Sequence, residues 1–397
     1  VTASTVTVSA GNGYPINTTS NTCTITLPSS AEAGDQIIFV DYARNWGTNK
    51  IIIDSNGLNY QGDPDTYTVE YDTDGQTVSI VYSGATVGWI PESDVDVTDA
   101  PVAPNTQKAI FAYGTTGSVT NLSNLVSSSG VVASDVTGVG TARQELGATG
   151  YGTDKAIFAY GYISGSYSAI SNLVSNVGVV ATDTSGVGTA RSGSAAAGYG
   201  IDKAIFAYGT TGSHTNLSNK VSSSGVVATD TSGVGTSRSY LAASRYGGRA
   251  AGTAIFAYGY TGSNVSMSNL VSNVGVVAAD VSGVGTARRY LGGASYGGDK
   301  AIFAYGYVSG NVSMSNLVSN TGVVAADVSG VGTARYSLAA SGYGGDKAIF
   351  GYGVDEGGAG IVSLTNLANS SGVIAADVTG VGTARQHLPA AGYSQSA

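Results

Sequence analysis

Few side chains in this 397-residue chain carry obvious reaction chemistry: there are two histidines, His214 and His387, and one cysteine, Cys23. Imidazole and thiolate serve as metal ligands, or as base and nucleophile, but these three stand at no metal-ligand spacing. No metal or other cofactor is expected. Carboxylates are the next candidates. Asp135, Asp183, Asp230, Asp280, Asp327 and Asp377 stand eight residues before Arg143, Arg191, Arg238, Arg288, Arg335 and Arg385, within Asp-x-Ser/Thr-Gly-Val-Gly-Thr. A calcium loop needs alternating oxygen ligands and a distal Glu, and this spacing supplies neither. A catalytic residue is needed once, whereas an Asp or Arg present in every repeat reads as a turn cap or a bridge between neighbouring units. Asn124, Asn172, Asn219, Asn269, Asn316 and Asn366 also hold one position per repeat and suit a backbone-bonding turn.

Three further signals fall away on inspection. Asp355 and Glu356 resemble a glycosidase carboxylate pair only in composition, since adjacent acids in a Gly-rich loop form a solvated tip. Gly-Val-Gly-Thr lacks the Lys of a phosphate loop and any following helix. No Gly-x-Ser-x-Gly elbow with a suitable partner precedes a helix. Enzyme activity is not expected.

The elements that position these residues follow from an internal repeat. The run Ala-Ile-Phe recurs at Ile110, Ile157, Ile205, Ile255, Ile302 and Ile349, at intervals of 47, 48, 50, 47 and 47 residues. That period matches four-stranded propeller blades. Each repeat parses into four short segments, which in one case are Tyr336–Tyr343, Lys347–Tyr352, Leu364–Asn369 and Gly372–Val378, with Gly, Asn, Asp or Ser at the breaks. Runs such as Ala301–Tyr305 and Val323–Ala326 are apolar on both alternating faces, so both faces are expected to be covered. No segment carries a capped 3.6-residue amphipathic pattern. The repeat region opens at Lys108 without the strand that precedes this run in later repeats, and Gln386–Tyr393 at the other end matches Tyr336–Tyr343. The sequence therefore predicts an all-β protein whose residues 108–397 form a six-bladed β-propeller closed by the C-terminal strand.

Between the Ala-Tyr-Gly and Asn-Leu segments the repeats diverge, and Tyr162, Tyr167, His214, Tyr260, Asn264, Tyr307, Asn311, Asp355 and Glu356 fall there. In a propeller of this strand order such loops gather on one face with the links between blades, making it the candidate binding face. Tyr and Asn beside Ser and Gly suit sugar recognition by stacking and hydrogen bonding. Loops free to drift are the competing reading.

Charge divides the chain. Residues 1–100 carry a net charge of −11 and the remainder +2. With the stretch from Asp99 to Asn105, this places a boundary near residue 103, giving a first domain over 1–100, a Pro-stiffened linker over 101–107 and the repeats beyond. Acidic and near-neutral domains offer no basic face to nucleic acid. No apolar run of about 18 residues suggests helical membrane insertion. With 42% hydrophobic and 11% charged residues, the chain has the composition of a folded protein. Seven alternating runs precede residue 92, with Gly turns at Gly11–Gly13, Asp54–Gly57 and Asp72–Gly75 that suit hairpins, so a β-sandwich or jelly-roll-like domain is expected.

Two resemblances add to this reading. The order Arg-x-x-Leu-Ala-Ala-x-Gly-Tyr-Gly, Lys-Ala-Ile-Phe-Ala-Tyr-Gly, Asn-Leu-Val and Gly-Val-Val-Ala-x-Asp resembles a kelch-type blade over residues 108–394. More closely, the Asp-Lys-Ala-Ile-Phe-Ala-Tyr-Gly and Gly-Val-Gly-Thr-Ala-Arg arrays look like repeats of bacteriophage virion proteins, notably fibre and appendage proteins of cyanophages. The first domain, through Tyr14–Thr18, Thr24–Pro28, Ala33–Asp35, Asp41, Asn49, Gly57, Tyr82 and Gly88–Ile90, is similar to a small β domain of phage tail fibres. These resemblances imply a non-enzymatic structural protein of the virion surface. They further imply attachment to other virion proteins through the first domain, assembly as a homotrimer, and display of the repeats toward a host-surface glycan or receptor. A secreted or cell-surface lectin-like adhesin and, behind it, a propeller glycan hydrolase are the alternatives.

Overall fold

The computed structural model describes residues 1–62, 69–93 and 107–394, so the expected linker lies outside the described residues apart from Gln107. The chain is all-β and divides into two compact units, 1–104 and 105–397.

The first unit holds eight strands: β1 (Thr5–Thr7), β2 (Asn12–Ile16), β3 (Cys23–Thr26), β4 (Gln36–Asp41), β5 (Ile51–Asp54), β6 (Val69–Tyr71), β7 (Thr77–Tyr82) and β8 (Trp89–Pro91). They form two four-stranded sheets, in the orders β1-β3-β5-β6 and β2-β4-β7-β8. Strict alternation in β4 and β7 turns Ile37, Phe39, Val78 and Ile80 inward, and one core joins them to Ile25, Ile51, Ile53, Trp46 and Trp89 from the other strands and loops. The expected hairpins are not how this unit is built. Its first five strands alternate between the two sheets, so β1 pairs parallel with β3, β3 with β5, and β2 with β4. The Gly turns after β1 and β6 accordingly carry the chain from one sheet to the other. Among the described residues, two consecutive pairs do run antiparallel as hairpins would: β5 with β6, on either side of Asp54–Gly57, and β7 with β8. Strand β2 was hidden in the sequence by Pro15, which is tolerated because β2 is an edge strand.

The second unit contains six three-stranded antiparallel sheets. Their middle strands are Lys108–Ala112, Lys155–Ala159, Lys203–Thr210, Thr253–Ala257, Lys300–Ala304 and Lys347–Gly351. The last five are preceded by Gly147–Tyr151, Ala195–Tyr199, Ala242–Tyr246, Gly292–Tyr296 and Ala339–Tyr343. The first sheet instead takes its corresponding strand from the tail, Ala390–Tyr393, in register with Lys108–Phe111. Ile and Phe of every middle strand are fully buried, as expected. A Tyr in the left-handed region follows each middle segment and packs edge-on against the Phe of the next sheet. The Tyr113–Phe158 centroid distance is 5.4 Å, and Tyr352 returns to Phe111 at 5.1 Å.

The fourth segment of each repeat departs from expectation. In place of a strand it makes two isolated bridges, such as Ala368–Ile374 and Thr365–Val378. The repeated Asn explains the interruption: Asn366 Nδ2 donates to Ala375 O and Asp377 Oδ1, occupying the span where a backbone ladder would run. Val323–Ala326 is correspondingly not covered on both faces, and Val323 is 65% exposed.

Candidate functional site

The repeated polar residues act together between neighbouring sheets. Arg288 is fully buried, donates from Nε to Tyr305 O, from Nη1 to Thr286 O and from Nη2 to Asn316 Oδ1, and lies over the Tyr258 ring at 4.3 Å. Asp327 of the next repeat accepts from the backbone N–H and hydroxyl of Thr286 and from Asn316 Nδ2. The Arg288–Asp327 separation of 3.9 Å is at the edge of ion pairing, so asparagine is the closer partner of the guanidinium. Burial pushes the Asp327 carboxyl up, but donors from Thr286 and Asn316 outweigh it and hold the pKa below the ordinary value. The same clamp joins the sixth repeat to the first, where Thr383 donates to Asp135 and Arg385 to Asn124 Oδ1. These sequence-predicted Asp and Arg residues therefore bridge repeats. At the junction of the sixth repeat with the first, Arg385 Nε finds no partner, unlike Nε of Arg143, Arg191, Arg238, Arg288 and Arg335.

A second constellation was missed from sequence. Two residues beyond each repeated Arg stand Glu145, Gly193, Tyr240, Tyr290, Ser337 and His387, all with φ between 52° and 59°. Their backbones close a hydrogen-bonded ring: Glu145 N donates to His387 O, Gly193 to Glu145, Tyr240 to Gly193, Tyr290 to Tyr240, Ser337 to Tyr290, and His387 to Ser337, at 2.8–3.0 Å. The signal available in the sequence was variation itself, at one position between constant Arg and nearly constant Leu.

The ring surrounds a depression of about 90 Å³ whose floor is Leu146, Ser194, Leu241, Leu291, Leu338 and Leu388. Tyr240 and Tyr290 lie 4.4 Å apart at 34°, and His387 meets Tyr290 edge-on at 5.4 Å. Glu145 Oε2 accepts from Ser192 Oγ at 2.7 Å, while Oε1 lies 3.9 Å from His387 Nδ1. Burial dominates both members of this pair, raising the carboxyl pKa and pushing the imidazole down to about 4. At neutral pH the imidazole is therefore uncharged, and the contact is not an ion pair. Burial, with the Glu145 charge as a secondary cause, raises Tyr240 to about 12, so its hydroxyl remains a donor.

The predicted loop residues surround this ring because the link after each Arg bridges to the start of a variable loop, as in Gln144–Tyr162, Ser239–Tyr260 and Arg289–Tyr307. Tyr260 and Tyr307 flank the Arg289 guanidinium at 4.4 and 5.2 Å, and Tyr307 packs on Tyr336. His214 packs on Tyr260 and lies 3.1 Å from Ser239 Oγ. Tyr162 pairs with Tyr167 across their hairpin. Asn264 Nδ2 binds Val308 O and Asn311 Nδ2 reaches Val354 O, linking successive loops. Asp355 and Glu356 are not brought together as a carboxylate pair: Asp355 accepts from Gly357 and Ala359 N–H within its own loop, while Glu356 acts on Tyr336.

A second cavity, of about 110 Å³, is lined by the small residues of the first strands, including Gly150, Gly198, Ser295, Gly342 and Gly392. Arg245 stands at the equivalent place in the fourth sheet and donates to Gly200 O at 2.6 Å, and Gln107 accepts from the Gly344 and Gly345 N–H groups. Among the described residues no group of three or more His, Cys, Asp or Glu is placed to hold a metal ion. Compared with known proteins, the chain matches no protein-family model and none of the curated proteins.

Proposed function

We propose that this chain is a non-enzymatic structural protein of a bacteriophage particle, a tail fibre or surface appendage that displays a six-bladed β-propeller for attachment to a host-surface glycan. One observation carries the reading. Residues constant across the repeats are consumed in holding sheet to sheet, whereas the variable ones collect around one hydrogen-bonded ring. An adhesin needs such a division, with a rigid frame and a variable face. The propeller assignment is supported by the Tyr–Phe contacts, the clamps and the tail strand, each of which links the sixth repeat to the first. The acidic first domain supplies the attachment to other virion proteins and the homotrimer, on the strength of its likeness to tail-fibre domains.

Mass spectrometry and electron microscopy of purified particles test the proposal. The protein is expected as a surface component, with ring-shaped heads labelled by an antibody to residues 108–394. Recovery of the protein from uninfected cells, and its absence from particles, would replace this reading with that of a cellular lectin. Incubation with host-surface oligosaccharides separates either from a hydrolase, since binding is expected without product.

A further inference from the structure

The geometry points to the ring depression as the carbohydrate site itself, built to take the terminal residue of a neutral glycan end-on, an inference that rests on the adhesive reading above. The floor is apolar, with five leucines, and Ser194 is its one polar member. Beside it, Tyr240 and Tyr290 stack on each other and line the depression, Glu145 Oε1 is an acceptor beyond its bond to Ser192, and the His387 imidazole is neutral. Apolar leucines and aromatic rings beside convergent hydrogen-bonding groups match a pyranose, whose C–H face is apolar and whose edge is lined by hydroxyls.

Two orphaned groups indicate that the polar side of the depression awaits a ligand. The hydroxyls of Ser194 and Ser337 line it and have no hydrogen-bond partner, although the residues are only 7% and 4% exposed. Buried hydroxyls are ordinarily satisfied, and a sugar edge supplies both donors and acceptors. The Glu145 carboxylate, already strained by burial, disfavours an anionic sugar at this place. Size sets the mode of entry: a depression of about 90 Å³ takes one edge of a single ring and does not enclose a whole sugar.

The ring geometry provides a clean test. Gly193 already occupies one of the six left-handed positions, so Tyr290→Gly removes one ring of the stacked pair while the backbone keeps a conformation that glycine adopts without strain. Saturation-transfer NMR and calorimetry on the full chain would use free methyl glycosides of glucose, galactose, mannose and N-acetylglucosamine as probes. At least one is expected to bind, with Tyr290→Gly and Glu145→Gln each weakening it about tenfold or more while the circular dichroism melt stays cooperative. Equal binding by wild type and both variants would overturn this site and leave the adhesive reading standing. Failure of all four glycosides, with host-cell adhesion intact, would likewise overturn it. Loss of both glycoside binding and host-cell adhesion in the wild type would instead remove the adhesive reading.

Discussion

Whether the tail strand is an integral part of the repeat unit can be measured by comparing two leucines. Leu388 lies just before the strand Ala390–Tyr393, and Leu291 holds the equivalent place before Gly292–Tyr296; they are 5% and 6% exposed. Truncating a buried Leu to Ala costs about 2–5 kcal/mol, through lost transfer energy and the cavity left behind. Both sites face the same leucine-lined depression, so Leu388→Ala and Leu291→Ala should each cost about 3 kcal/mol. At roughly 2–4 °C per kcal/mol for a unit of this size, the melting midpoint should fall by about 6–12 °C in either variant. The assay has a built-in control. Both tryptophans, Trp46 and Trp89, belong to the first unit, so Trp fluorescence reports that unit, while 19 of the 25 tyrosines lie in the second unit and dominate the tyrosine near-ultraviolet circular dichroism. The tyrosine transition should shift equally in the two variants and the tryptophan transition in neither. A Leu291→Ala protein destabilised by about 3 kcal/mol beside a Leu388→Ala protein within about 0.5 kcal/mol of wild type would mean that the tail is a loose end, and the closure argument would fail.

Three other outcomes follow from the same contacts. Arg288→Met strands Asn316 and the Tyr305 carbonyl and should cost about 3–5 kcal/mol, whereas Arg385→Met removes fewer bonds and should cost about 1–2 kcal/mol less; urea titrations compare them. His387 is a base whose pKa is pushed by burial from 6.5 to about 4, so the stability tied to its neutral form is present above pH 6.5 and lost as the pH falls toward 4. His387→Gly should flatten that slope, and an unchanged pH profile between 7 and about 4 would show that the imidazole is not buried. Ser337→Gly relieves a left-handed backbone and an unpartnered hydroxyl together, and should raise stability by about 1–2 kcal/mol; a lower melting temperature would contradict both arguments.

Much of the repeat unit was legible because its signals are local and repeated. Six copies of Ala-Ile-Phe mark six middle strands, and the likeness of Gln386–Tyr393 to Tyr336–Tyr343 identifies the strand that pairs with Lys108–Phe111. The once-per-repeat Asp and Arg read as turn caps or bridges and the Asn as a backbone-bonding turn, by number alone; in the structure Asp327 accepts from Thr286 of the preceding repeat, and Asn316 accepts from Arg288. Two features were not legible. Parallel pairing of β1, β3 and β5 depends on which sheet the chain enters next, and alternation along a strand carries no record of that. The fourth segment has strand-forming Val and Ile, yet Asn side chains inserted from the third strand displace its ladder, a tertiary effect that propensity does not contain.

The ring residues give the strongest argument for the proposed site, because they violate a local preference without a packing reason common to all six. A left-handed φ favours glycine, and one repeat does place Gly193 there; the others keep Glu145, Tyr240, Tyr290, Ser337 and His387 at a cost of about 1 kcal/mol or more each. The backbone ring itself needs only N–H and C=O groups, which any residue supplies. The side chains are also too different to share one structural duty, in contrast to the Tyr that follows every middle segment, which is left-handed too but identical in all six repeats and always packed against a Phe. Uniform strain therefore belongs to the joint between sheets. Strain carried by unlike residues that converge on one depression has no such joint to serve, and that contrast is the reason the proposed binding face is set at the ring with the loops as its surround.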